Sequence, residues 1–419
     1  MKKQLTFLFL FIFPIVLAAQ EVTEKADTLR KDALRVYMSA SDYIKREIPF
    51  INYVRDLNEA QVYIISTSQR TGSGGREYTY FIEGQKEFAG MRDTVVAICS
   101  FDDTQEQIRQ KQVSVLKMGL MRYVLKTPLA KHIEIKFNKP LKEEVSTDKW
   151  DNWVFRTGIN AYLNGQNLTK YSDTYGSFSA SRVTQAWKYV FDLDYSRGKD
   201  TYKIDYPEGS DLEDTEIISE NKSKSFNALI VKSISDHWSV GGTYAMGSST
   251  YSNYRFRTSL SPGIEFNIFP YSESTRRQFS FLYSAGYRYN NYNDTTVYNK
   301  TLEHLWMQSL RGTYSIIQKW GSISLSSYWS NYFHDWALNY LSFYAGINFR
   351  ITKGLSFNVS GNTSLIHNQI SLSKGGATQE EILTRQKELE TNYSYYVSFG
   401  LSYTFGSIFN NVVNPRFDN

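Results

Sequence analysis

The chain has a single cysteine, Cys99, among its 419 residues, so no intramolecular disulfide can form and the fold must hold by packing and hydrogen bonding. After residue 17 it has no stretch of about 18 apolar residues, so the mature protein cannot cross a membrane as helices. It is either soluble or a β-barrel. The five histidines, His132, His237, His304, His334 and His367, are scattered with no two at metal-ligand spacing, which argues against a metal site. A net charge of +5 is small for this length and gives no argument for a nucleic-acid partner. No cofactor is expected.

What is abundant is aromatic. Against only 8 prolines stand 32 tyrosines, 26 phenylalanines and 8 tryptophans, with a mean hydropathy of -0.43. A barrel in lipid combines aromatic girdles with a wet polar interior and therefore scores as polar overall. At the amino terminus Lys2 and Lys3 precede an apolar run from Leu5 to Leu17 that closes on Ala18 and Ala19. That layout predicts a secretory signal peptide over residues 1–20. No cysteine stands near the expected cut, so a lipoprotein is not expected.

Residues 24–140 read as a separate α/β domain. Arg35 to Ser39 predicts a strand, and Ser41 is placed as the N-cap of a helix reaching Ala60 with a kink near Pro49. Gln61 to Ser68 and Glu77 to Gln85 alternate on either side of Thr71-Gly72-Ser73-Gly74-Gly75, which predicts a long hairpin. Asp93 to Phe101 predicts a further strand. Thr104 with Gln107 forms a capping-box pattern, and Val113, Leu116, Leu120, Tyr123 and Val124 then recur at helical spacing. His132 to Phe137 predicts a last strand before a charged linker, residues 141–151.

From Asp151 the period changes to two. Tyr393, Tyr395, Val397, Phe399, Leu401, Tyr403 and Phe405 alternate with Ser394, Tyr396, Ser398, Gly400, Ser402, Thr404 and Gly406. Trp187 to Tyr195, Trp238 to Met246, Phe279 to Tyr289 and Leu355 to Val359 repeat the pattern. Counting every such segment predicts an antiparallel transmembrane β-barrel of about 12 strands over residues 152–410, followed by a tail, 411–419. Short turns alternate with longer connections. Short turns belong in the periplasm, which places the amino-terminal domain there as well. Pro262 falls in the middle of one strand on the lipid side, so a bulge is expected there.

Two resemblances support this organisation. The order of elements in residues 24–140, with Ala60 to Ser66 and Tyr78 to Gln85 in the hairpin, resembles the small α/β domain before the propeller of the periplasmic Tol-system protein. Glu47 to Asp56, Gln69 to Tyr78 and Tyr403 to Phe417 resemble segments of a largely uncharacterised family of Gram-negative outer-membrane proteins. That resemblance implies a barrel with a periplasmic domain and brings no catalytic residues. The chain departs from many outer-membrane barrels in ending on Asp418 and Asn419 rather than on an aromatic residue.

The glycine-rich loop lacks the Lys and Ser or Thr of a P-loop and is expected to be a hairpin tip. Its flanking Arg70 and Arg76 are candidate contacts for a periplasmic protein or peptidoglycan. In the strands, Arg156, Asp192, Asp194, Arg255, Arg257, Glu265, Arg288, Arg311 and Arg350 take the inward phase. They are expected to pair across the lumen or, with six arginines to three acids, to favour anions. Thr378 to Leu389 predicts either a short helical lid or a polar surface loop. With so many serines in the strands, His–Ser pairs such as His334 near Ser330 arise by accident, and no triad that would suggest a lipid hydrolase can be read. The expected function is a non-enzymatic anchor in outer-membrane lipid for a periplasmic interaction domain, serving envelope organisation, assembly or transport. The alternatives are a small-solute or anion-preferring channel and an outer-membrane hydrolase.

Overall fold

The computed structural model describes residues 32–134, 148–204 and 215–406, apart from Ser73 and five positions between 379 and 385. The expected signal peptide, most of the linker, and the tail with Phe417 lie outside the described residues.

The amino-terminal part builds a five-stranded sheet in the order β2-β1-β3-β4-β5. Its strands are β1 (Arg35–Tyr37), β2 (Asn52–Tyr53), β3 (Val62–Arg70), β4 (Arg76–Gly84) and β5 (Arg92–Cys99). Helix α1 (Asp42–Glu47) starts where expected, with the Ser41 hydroxyl accepting from the Ile44 amide at 3.4 Å. It does not run to Ala60. Proline disfavours helical backbone in the residue before it, and Ile48, preceding Pro49, leaves the helix at φ -117°, ψ 67°. The chain then turns back to lay β2 parallel to β1.

The β3–β4 hairpin holds register from Val62 opposite Gly84 to Arg70 opposite Arg76. Helix α2 (Gln105–Val124) carries the reciprocal Thr104–Gln107 capping box. Its face of Val113, Leu116, Leu120, Tyr123 and Val124 is buried against Val36, Val62 and Ile82, each large side chain contributing about 1.5–3 kcal/mol of burial. The Tyr123 hydroxyl donates to the Ile82 carbonyl at 3.2 Å, so the buried phenol is satisfied. The strand expected from His132 is instead preceded by a 3-10 turn, Pro128–His132, because proline is pre-organised for the first position of a helical turn. Residues 135–137 lie outside the described residues.

The rest of the chain forms a twelve-stranded antiparallel sheet in strictly sequential order. Its first six strands are β6 (Trp153–Gly165), β7 (Thr169–Val183), β8 (Trp187–Ile204), β9 (Thr215–Ser233), β10 (Trp238–Ser249) and β11 (Tyr254–Asn267). The second six are β12 (Arg277–Tyr292), β13 (Leu302–Gln318), β14 (Gly321–Tyr332), β15 (Asp335–Thr352), β16 (Leu355–Ile366) and β17 (Tyr393–Tyr403). The alternation predicts strands starting at 175 and 222 and one ending at 371; β7 and β9 instead begin at Thr169 and Thr215, and β16 stops at Ile366. No helix among the described residues is long and apolar enough to cross a membrane.

Pro262 causes no bulge. The β11–β12 register runs Leu260 opposite Tyr287, skips two pairs, and resumes unshifted at Gly263 opposite Ser284, so the missing N–H interrupts the ladder without displacing it. Gly286 permits this close approach, since a Cβ there would meet the Leu260 carbonyl at 2.6 Å. The bulge lies at Arg255, between Tyr254 and Phe256.

The two faces of the sheet differ sharply. One carries Leu193, Phe226, Tyr244, Leu260, Phe281, Leu310, Phe343 and Phe399 along successive strands. From β10 to β17 this face bears no Asp, Glu, Lys or Arg except Arg255 and Arg277, near strand ends. On β8 and β9 its uncharged stretch runs from Tyr189 to Leu193 beside Ile230 to Phe226, and Lys232 and Lys224 bracket it. The opposite face is dense in serine and asparagine, with hydroxyls paired at Ser196–Ser223, Ser284–Ser309 and Ser356–Ser402.

Edge strands β6 and β17 are not hydrogen-bonded to each other. The sheet nevertheless curls. β6 and β15 stand nine strand steps apart, about 43 Å if flat, yet both touch one α/β domain of about 100 residues, which is roughly 34 Å across.

Candidate functional site

The α/β domain is docked on the short-turn end of the large sheet at three places. At the first, the hairpin tip meets β6 and β7: Arg156 Nη2 donates to the Gly74 carbonyl at 3.1 Å and Ser181 Oγ to the Gly72 carbonyl at 2.9 Å. Only glycine allows this fit, since a Cβ on Gly72 would stand 2.3 Å from that of Val183, and Gly74 has φ +73°. At the second, Arg276 in the turn before β12 donates to Glu83 at 3.0 Å and stacks on Phe81. Glu83 is buried and also accepts from the Tyr63 hydroxyl, whose pKa rises to about 12 through burial and this carboxylate. At the third, Arg350 at the end of β15 hydrogen-bonds and stacks on Tyr37, and Lys353 in the next turn pairs with Asp56 at 3.0 Å.

Burial alone would raise the Asp56 carboxyl, but Lys353 and the Asn58 amide outweigh it and hold the pKa below its usual value. The same pair raises the Lys353 ammonium. For the carboxylate, the docked pKa is depressed, so its contribution is complete above the undocked value, about 3.9, and is lost as pH falls through the docked one. For the lysine the contribution is complete below about 10.4 and lost above its raised pKa. Docking by this pair is therefore strongest between about pH 4 and 10. Lys353 is largely exposed, so solvent screens the pair and keeps its contribution small. Limited proteolysis at the linker is expected to accelerate up to about fivefold in Asp56→Asn at pH 7, and the difference from wild type is expected to shrink as pH falls below about 4. Equal rates at pH 7 would remove this pair from the docking account.

The other end of the sheet is covered by its own chain. The connection between β16 and β17 folds across the polar face, where Ile370 packs on Leu305 and Tyr332. Thr296 pairs with Ser373, and Ser219 Oγ on β9 donates to the Thr384 carbonyl at 3.3 Å. Asn253, at φ +61°, ties three segments together. Its amide donates to the carbonyls of Asp294 and Ser371 at 3.0 and 2.8 Å and accepts from the Asp294 N–H at 2.7 Å. The Thr378–Glu381 capping box forms at 2.9 and 3.1 Å. This connection is a lid, not a free surface loop.

Beneath the lid lies a cavity of about 400 Å³ whose lining includes Tyr254, Arg257, Arg288, Tyr328, Ser330 and Tyr332. The Arg257 guanidinium stacks 4.8 Å above the Tyr254 ring. Arg288 Nη1 donates to the Tyr332 hydroxyl at 3.3 Å, while its buried Nε has no partner.

Eight of the nine predicted inward charges stand on the polar face, though not as one group. Arg257 and Arg288 are diagonal neighbours on β11 and β12, and Arg311 stands further along β13, opposite Leu282. Asp192 and Asp194 lie on β8, where Asp194 accepts from Tyr175 at 2.6 Å, and Glu265 accepts from Tyr271 at 2.7 Å. Arg156 and Arg350 serve the docking contacts. Arg255 leaves the file because the bulge puts Tyr254 and Arg257, three residues apart, on one side. With Asp173, Asp200 and Glu303 sharing the polar face, the expected arginine excess disappears. Arg70 and Arg76 are exposed beside the tip, but the tip itself is engaged by the chain's own strands. His334 lies tilted against the Tyr332 ring, with centroids 5.8 Å apart, rather than bonding Ser330.

Sequence reasoning missed the docking residues Glu83, Asp56, Arg276 and Lys353. The one available signal was charge in a two-residue turn, which by itself points to solvent. Neither a scan against protein-family models nor a search among curated proteins finds a match for this chain.

Proposed function

We propose that this chain is a bacterial outer-membrane protein whose curled sheet closes, β6 to β17, into a twelve-stranded barrel that holds the α/β domain against its periplasmic mouth. The observation that carries this reading is the apolar face, uncharged from β10 to β17 between the strand ends. In water such a face is a liability, whereas in lipid it matches the band that strands of about 9–11 residues need. Closure supports itself: with an even number of strands the first and last run antiparallel, and joining them removes two long apolar edges that would otherwise recruit other chains. The short turns and the docked domain then lie in the periplasm and the lid lies outside.

Covers at both ends favour an anchor in envelope organisation, assembly or transport over an open pore. The four carboxylates Asp173, Asp192, Asp194 and Asp200 on β7 and β8, set apart from Arg257 and Arg288, support the second reading, a solute passage that works when the covers move. The protein is expected to fractionate with the outer membrane, to resist carbonate extraction, and to shift its gel mobility on heating. Recovery in the soluble periplasm would overturn the proposal.

A further inference from the structure

We infer that the cavity under the lid is a binding site for a small solute bearing an oxyanion, held between Arg257 and Arg288. Both side chains stand on the polar face of neighbouring strands: Arg257 is opposite Asn290, and Arg288 is opposite Ser259. That is a diagonal cross-strand pair, about 7–8 Å apart at the backbone, so two guanidinium groups can share one ligand. Neither is in ion-pair contact with the protein. Among the described residues no carboxylate comes within 4 Å of either guanidinium. Glu388, the acid at the lid edge of the cavity, is held by Gln369 at 2.8 Å, and the nearest acid by register, Glu303 opposite Asn290, is engaged by Tyr292.

Two adjacent cations with no carboxylate in contact repel each other, and a buried guanidinium N–H without an acceptor is destabilising. Arg288 Nε is such a group. A carboxylate or phosphate oxygen relieves both terms, because the planar fork of arginine matches those oxyanions in a bidentate fashion. Tyr328, Ser330 and Tyr332 across the cavity supply hydroxyls for the uncharged part of the ligand. The lid explains why the site suits a solute and not a membrane headgroup: it covers the cavity from above, and the sheet separates the cavity from the apolar face. The inference depends on the barrel reading only for the direction from which the solute arrives.

The test uses full-length protein in a phosphate-free detergent, with inorganic phosphate and citrate as probes and chloride at matched ionic strength as the control. Calorimetry is expected to show saturable binding of at least one probe, weakened about tenfold or more in Arg257→Gln and in Arg288→Gln and unchanged in Arg277→Gln on the opposite face. Heat-modifiable gel mobility checks that each variant is folded and separates failure of the site from failure of the barrel. A second measurement needs no variant: the bound probe should protect Arg257 and Arg288 of the wild type, but not Arg277, from phenylglyoxal, read by mass spectrometry. Absence of saturable binding, or modification of Arg257 and Arg288 at the same rate with and without probe, would overturn the inference.

Discussion

Leu260→Lys is expected to destabilise the protein in lipid vesicles by about 2–4 kcal/mol, the penalty for a lysine at the bilayer midplane on the outside of a barrel. Leu260 lies in the middle of β11 on the apolar face and is 56% exposed. In a water-soluble sheet that exposure would make the substitution nearly neutral, within about 0.5 kcal/mol. The same variant therefore separates the two environments by a wide margin. Thr243→Lys, one strand away on the exposed polar face, supplies the internal control and is expected to cost less than about 1 kcal/mol. Denaturant unfolding in vesicles, followed by tryptophan fluorescence, reads both. If Leu260→Lys unfolds at the wild-type midpoint, the apolar face is not in lipid.

The second large effect concerns conduction. Full-length protein in a planar bilayer is expected to be silent, since the α/β domain bridges one end of the sheet and the lid crosses the other. Deleting residues 24–140 leaves the lid, and replacing 369–388 by a short glycine-serine link leaves the domain, so each change alone should give at most brief openings. Both together should give steady conductance with weak preference for ion sign, because acids and arginines on the polar face are nearly balanced. Steady current through the unaltered protein would show that the covers do not seal and would favour the channel reading. The domain has its own core, centred on Leu116, Leu120 and Tyr123, so its removal takes away a folded unit and leaves all twelve strands.

The strands were readable because alternation is a local signal that each segment repeats without reference to the others. Tyr393 to Tyr403 needs no tertiary information to declare its period. The capping box at Thr104 was readable for the same reason. What stayed hidden depends on partners far away in sequence. Asn52–Tyr53 becomes a strand because β1 lies beside it, against a pattern that favours continued helix. Arg255 has the right phase in sequence, but a bulge set by pairing with β12 turns it out of file. The alternation gives Arg257 and Arg288 their inward phase, whereas the absence of an ion-pair contact to either depends on where the acids of distant segments fall in the register.

The docking contacts also fix an order of events. The hydrogen bonds from the large sheet to the α/β domain join residues 82, 193 and 313 positions apart. The domain is synthesised first, yet its last contacts, Tyr37 with Arg350 and Asp56 with Lys353, must wait until β15 is in place. Each bond closes a longer loop than the one before, at an entropic cost that grows only logarithmically, so the domain gathers early, middle and late strands in turn at little added expense. A chain stalled before β15 leaves Tyr37 and Asp56 exposed. The full set of docking contacts therefore exists only in a chain whose sheet is built through β15 and the turn after it.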